Sequence, residues 1–282
     1  MTLQPDFASF AAAWAQGRNQ VVYARLAADL DTPVSLMMKL AEARTDTFML
    51  ESVTGGEVRG RYSVVGMKPD LIWKCQGDQA FINREARFEE QAFVAQDNGP
   101  LDALRALIHE SAIDLPDGLP PIAAGLFGYL GYDMIRLVEH LPDVNPDPLN
   151  LPDAVLLRPS VVAVLDGVKG EVTLVAPAWR ANGLSARAAY AQAAERVMDA
   201  LRSLDRAPAH DLGEAVDLPE ATSNFTHEGY KAAVERAKEY IAAGDLMQVV
   251  IGQRLAKPFK AEPISLYRAL RALNPSPYMY FY

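Results

Sequence analysis

Gln248, Gly252 and Arg254, with Val250 among them, alternate with Met247, Val249, Ile251 and Leu255 along LMQVVIGQRL (246–255). Side chains of a strand point to opposite faces in turn. The stretch therefore reads as a strand with one apolar face for a core and one polar face suited to the wall of a site. Other reactive side chains are scarce. Cys75, the single cysteine, ends the alternating run DLIWKC and reads as a half-buried strand residue. It excludes an internal disulfide or a thiolate cluster. His109, His140, His210 and His227 form neither an HExxH nor a His-x-His spacing, which argues against metal chemistry through His and Cys in this segment. GLFGYLG (125–131) supplies G-x-x-G-x-x-G, not the G-x-G-x-x-G of a dinucleotide-binding turn.

The elements around these residues mix α and β. VVYARLAADL (21–30) reads as a strand running into a loop. Thr32 is placed to cap a helix over Val34–Arg44 with Pro33 at its first position. Strands follow at Phe48–Val53, Arg61–Gly66 and Leu71–Cys75, with Gly55 and Gly56 allowing a sharp turn between the first two. A helix is expected at Leu101–Ser111. In PPIAAGLFGYLGYDMIRLVEH (120–140), Gly125, Gly128 and Gly131 interrupt an apolar run and predict a strand lying close against another backbone. VVAVLDGVKGEVTLVA (161–176) is a hairpin with its turn at Asp166-Gly167. A long helix covers about Leu184–Leu204.

Residues 205–223 lose all periodicity and collect Pro, Ala and acidic residues. They predict a linker between an N-terminal domain (1–204) and a second domain that begins at 224 and runs to 282. The second part opens with a helix capped by Thr226. Tyr230, Ala233, Val234, Ala237 and Ile241 form its stripe, and Gly244 lies past its end. Asn274-Pro275 stops a further helix, and Tyr278–Tyr282 starts an aromatic strand.

Hydrophobic residues make up 50% of the chain and charged ones 22%, with a net charge of -9. This is the makeup of a globular α+β protein. The acidic balance argues against nucleic acid and anionic membranes as partners. No run nears the ~18 apolar residues of a membrane span, and MTLQPDFASF lacks the features of a signal peptide, so the expected location is the cytoplasm.

Four ordered blocks carry a family resemblance. FMLESVTGGEVRGRYSVVG (48–66), GLFGYLGYDMIRLVE (125–139), YIAAGDLMQVVIGQRL (240–255) and NPSPYMYFY (274–282) resemble successive motifs of anthranilate synthase component I, the large, chorismate-binding subunit. The resemblance implies a complex α/β fold of orthogonal antiparallel sheets flanked by helices. It implies an enzyme, a lyase that converts chorismate and ammonia to anthranilate and pyruvate in the first step of tryptophan biosynthesis. Ammonia comes from glutamine through a partner amidotransferase, component II, and L-tryptophan inhibits by feedback. Mg2+ is the implied cofactor, since a hard cation takes oxygen ligands and offsets the charge of a leaving hydroxide and of substrate carboxylates.

The family's Mg2+ ligands and most of its chorismate-binding residues lie in motifs expected beyond residue 282. The chain is therefore expected to be a truncated portion, inactive alone, with no metal site within this segment. The same resemblance assigns Ser52, Pro277, Tyr278 and Met279 to the L-tryptophan pocket, with Glu51 as a further contact. It assigns Gln248 to positioning substrate or nucleophile: related enzymes that add water carry a lysine base there, whereas a carboxamide is no base and can only hydrogen-bond. Gly252 stands where the family often has serine, which removes a hydroxyl from that wall. Arg61 and Arg254 are read as structural. Two alternatives share these residues: aminodeoxychorismate synthase component I, and a stand-alone L-tryptophan-binding regulatory module.

Overall fold

The computed structural model describes residues 2–41, 45–53, 60–142, 146–180, 183–207 and 220–282. Gly55 and Gly56, the end of the helix expected over Val34–Arg44, and most of the 205–223 linker lie outside the described residues. In chain order the elements are α1 (Phe7–Ala15), β1 (Gln20–Ala27), α2 (Pro33–Leu40), β2 (Phe48–Ser52), β3 (Tyr62–Gln76), β4 (Gln79–Asn83), β5 (Phe93–Ala95) and α3 (Pro100–Glu110). They continue as β6 (Phe127–Leu130), β7 (Ala154–Asp166), β8 (Glu171–Ala178), α4 (Ala186–Leu204), β9 (Thr222–Ser223), α5 (His227–Ala243), β10 (Leu255–Ala256), α6 (Pro263–Leu273) and β11 (Tyr278–Phe281). The described residues form two compact units. One comprises Met1–Ala209 with Tyr267–Tyr282, the other His210–Leu266.

The first unit is α+β, built on a nine-stranded sheet whose main path runs β1-β8-β7-β3-β2-β11, with every pairing antiparallel. β3 and β7 are long enough to serve two halves of this sheet. Residues 64–66 of β3 pair with β2, and 72–76 pair with β4. Likewise 162–166 of β7 pair with β8, and 154–157 pair with β6. The two strands expected over 61–66 and 71–75 are thus one. A register shift between Pro69 and Leu71 marks the change, and Lys68 beside it has φ 51. An irregularity of this kind bends a strand and lets it pass from one sheet direction to another. Arg61 bridges to Asp166 at 2.6 Å and ties the start of β3 to the end of β7.

Caps readable from the sequence set several helix ends. Thr32 and Ser35 close a capping box at the start of α2, with contacts of 2.9 and 3.1 Å and Pro33 in the first turn. Thr226 Oγ1 accepts from Gly229 N at 3.0 Å to begin α5, and Gly244 ends it with φ 83. α1 and the short β4 and β5 carry too little periodicity to be read in advance.

The core has two parts. Val21, Phe48, Val64, Phe127, Val162 and Val175 form one, and Leu71, Trp73, Ala103 and Leu107 form another under α3. Cys75 is fully buried in the latter, and burial pushes its thiol up to about 11. The glycines of 125–131 behave as expected of a close approach: a Cβ on Gly128 would lie 1.9 Å from the Val155 carbonyl oxygen. The strand there is only Phe127–Leu130, because a 3₁₀ turn over Tyr132–Leu137 replaces its expected continuation.

The second unit corrects one expectation. Residues 246–254 are irregular, and only Leu255–Ala256 pair, with Thr222–Ser223. A strand persists only where its N–H and C=O groups find a neighbouring strand. Among the described residues this stretch finds one solely at its end, and Met247 and Val250 are 96% and 89% exposed.

Candidate functional site

The LES and SPYM segments, far apart in sequence, are adjacent strands. β2 and β11 run antiparallel with Ser52 opposite Tyr278, Glu51 opposite Met279, Leu50 opposite Tyr280 and Met49 opposite Phe281. Val53 N donates to Pro277 O at 3.1 Å and extends the ladder by one rung. β11 is the outer strand of the path, and β2 is fixed on its other side by β3.

Residues directly opposite in a ladder share a face, and successive residues alternate. Ser52 and Tyr278 therefore lie on one face, Glu51 and Met279 on the other. Sequence reasoning grouped all of these around one ligand; the geometry divides them. On the first face Ser52 Oγ donates to Tyr62 O at 2.9 Å, and Ser52 N donates to Ser63 Oγ at 3.1 Å. The Ser52 hydroxyl keeps its lone pairs for a donor, while the Tyr278 ring stands 65% exposed beside it. Pro277 is exposed at the open end of the ladder.

The second face is covered by α6. The Glu51 carboxylate accepts from Tyr267 Oη at 2.6 Å and from Arg271 Nε at 2.8 and 2.9 Å. The Arg271 guanidinium adds a second contact at 2.7 Å. The Glu51 side chain is 1% exposed, and the Tyr267 ring meets Phe281 edge-on at 6.0 Å. Burial, then the adjacent carboxylate, push the Tyr267 phenol far above its ordinary value, so it stays a donor. The Glu51 hydrogen bond raises the Arg271 guanidinium as well. Sequence reasoning missed both partners. The available signal was their i, i+4 spacing on the helix just ahead of NPSPYM, which puts Tyr267 and Arg271 on one side.

The remaining expected residues lie elsewhere. Gln248 is exposed in the irregular part of the second unit. A Cβ at Gly252 would meet open space. Arg254 takes part through its backbone, in a pair of bonds with Asn224 at 2.7 and 3.1 Å. A surface cavity of about 570 Å³ lined by Asp46, Lys68, Arg87 and Glu90 includes none of the expected residues. Its mixed charges suit no indole. Among the described residues no three His, Cys, Asp or Glu side chains gather to hold a metal ion, and no helix is long and apolar enough to cross a membrane.

An antiparallel sheet that joins an N-terminal LES strand to a distant SPYM strand defines the class. Residues 48–282 match the family of chorismate binding enzymes, and the chain belongs to it. It is 73% identical over 279 residues to anthranilate synthase component 1 of Cereibacter sphaeroides, covering 98% of this chain and 56% of that protein. The protein of the same name from Aquifex aeolicus is 34% identical over 263 residues, covering 92% of this chain and 52% of that protein. Among solved structures, anthranilate synthase component I from Streptococcus pneumoniae TIGR4 is similar, with a TM-score of 0.62 and 25% identity, covering 92% of this chain and 55% of that one. The chain spans about half the length of the curated relatives it matches.

Proposed function

We propose that the chain is the N-terminal portion of an anthranilate synthase component I, which turns chorismate and ammonia into anthranilate and pyruvate. The observation that carries this reading is the 73% identity to the Cereibacter sphaeroides protein across nearly all of the chain. In this reading 224–282 begins the chorismate-binding domain, and ammonia arrives from glutamine through a separate amidotransferase subunit. Gln248 positions substrate or ammonia through its carboxamide, which donates and accepts hydrogen bonds without taking up a proton. Mg2+ is the cofactor implied by the family. The described residues do not fit a site for it, since no three of their His, Cys, Asp or Glu side chains gather. The work of such an enzyme belongs in the cytoplasm.

The residues of this chain also receive the feedback inhibitor in this reading. L-tryptophan needs an apolar slot for its indole and a few placed polar groups for its ends. The rung of Ser52 and Tyr278, with Pro277 at its mouth, offers a hydroxyl with free lone pairs next to an exposed ring. Met279 supports the slot from the far face.

The test is direct. The full-length protein, supplied with chorismate, ammonium and Mg2+, is expected to release fluorescent anthranilate, and L-tryptophan is expected to suppress it. Accumulation of an aminodeoxychorismate in place of anthranilate sinks the reading in favour of the folate-pathway relative. L-tryptophan binding without any turnover of chorismate points to a regulatory module.

A further inference from the structure

Glu51 precedes Ser52 in the LES triplet, yet its carboxylate has nothing left to offer a ligand. Both oxygens are engaged by Tyr267 and Arg271, and the side chain is buried. A buried carboxylate is tolerated only when its lone pairs are satisfied, so these contacts hold one geometry closely. Their reach is what matters. They join the middle of β2 to α6, and α6 leads through Asn274–Pro277, with two prolines, into Tyr278. Proline fixes its own φ and restricts the residue before it. Pinning α6 to Glu51 therefore sets where Pro277 and Tyr278 meet Ser52 on the opposite face.

We propose that Glu51, clamped by Tyr267 and Arg271, is a positioning residue of the L-tryptophan site: it fixes the β2–β11 rung from behind and does not touch the ligand. This rests on the reading that Ser52, Pro277 and Tyr278 receive L-tryptophan.

The experiment is calorimetric titration of the full-length protein with two probes, L-tryptophan and indole-3-propionate, which lacks the amino group. Each variant is studied at a temperature where circular dichroism reports it fully folded. Tyr267→Phe removes one hydroxyl and keeps the ring, and it carries the test if Arg271→Met fails to fold. Both are expected to weaken the two probes by the same factor, about tenfold, as displaced supporting contacts do. Arg271→Lys is expected to recover part of the loss. Glu51→Gln is expected to act equally on both probes. If Glu51→Gln weakens L-tryptophan and spares indole-3-propionate, the carboxylate meets the ligand's ammonium and the proposal is overturned, while the inhibitor reading stands. Wild-type affinity in Tyr267→Phe and Arg271→Met overturns it equally. If the unaltered protein binds no L-tryptophan, or Ser52→Ala binds it as tightly, the inhibitor reading itself falls and takes the proposal with it.

Discussion

Gly66 lies directly opposite Phe48 at the first rung between β3 and β2, and the ring lies over the bare Cα. A Cβ at Gly66 would stand 2.2 Å from Phe48 Cε1 and Cζ, where ordinary contact begins near 3.4 Å. The Gly66→Ala variant therefore needs the ring to retreat by about 1.2 Å, the difference between those two distances. It has nowhere to go, since Phe48 is fully buried and stacks on Phe127 with centroids 4.6 Å apart. Overpacking of this kind costs roughly 1–3 kcal/mol, and the rigidity of both partners argues for the upper end. In a unit of this size ~3 kcal/mol lowers Tm by about 6–12 °C. The assay is urea and thermal unfolding of four proteins: wild type, Gly66→Ala, Phe48→Leu and the double variant. The smaller leucine leaves room for the new methyl, so Gly66→Ala is expected to cost less than 1 kcal/mol in that background, a coupling of about 2 kcal/mol. Equal costs in the two backgrounds, or a single variant within ~0.5 kcal/mol of wild type, refute the argument from the ring contact.

Other outcomes follow from the same structure. Gly128→Ala drives a methyl into the Val155 carbonyl, which as backbone cannot swing aside; a loss of at least ~3 kcal/mol in urea midpoint analysis, or failure to fold, is expected. The Arg61 guanidinium holds the Asp166 carboxyl below the usual carboxylate range. A depressed native value means that the stabilisation is complete above the unfolded value near 4 and fades as pH falls through the native one. Arg61→Met is therefore expected to cost clearly more at pH 7 than at pH 2.5 in parallel urea titrations. With its thiol raised to about 11 by burial, Cys75 is expected to react with a disulfide reagent at pH 8 at least about a hundredfold more slowly in native protein than in denatured protein.

The legibility of this chain follows the range of the forces involved. Caps act within one turn, so Thr32-Pro33, Thr226 and Gly244 could be read directly. The hairpin at Asp166-Gly167 is local too, and the glycines of 125–131 announced a close approach without naming the neighbour, Val155. What escaped depends on contacts made elsewhere in the chain. That β3 is one strand serving two halves of a sheet is decided by β7, β2 and β4 together. In the candidate site, motif resemblance linked Ser52 with Tyr278, and the ladder puts them opposite each other. The same motifs could not reveal that Glu51 and Met279 look the other way, because facing is set by register. Alternation also misled at 246–254, where a strand pattern lacks a strand neighbour among the described residues.

The pairing of β2 with β11 also has a consequence in time. Glu51 waits for Arg271, 220 residues later. At ribosomal speeds of about 5–20 residues per second, that interval lasts roughly 10–45 s. Over the same period β3, β7 and β8 can assemble through shorter loops, because closing a longer loop costs more entropy and slows folding. The outer edge of β2 is thus left as an unpaired strand edge on the nascent chain while those 220 residues are made, open to any other extended segment. Newly made chains should depend on protection at that edge, and the tetrad of Glu51, Tyr267, Arg271 and Phe281 is where that dependence ends.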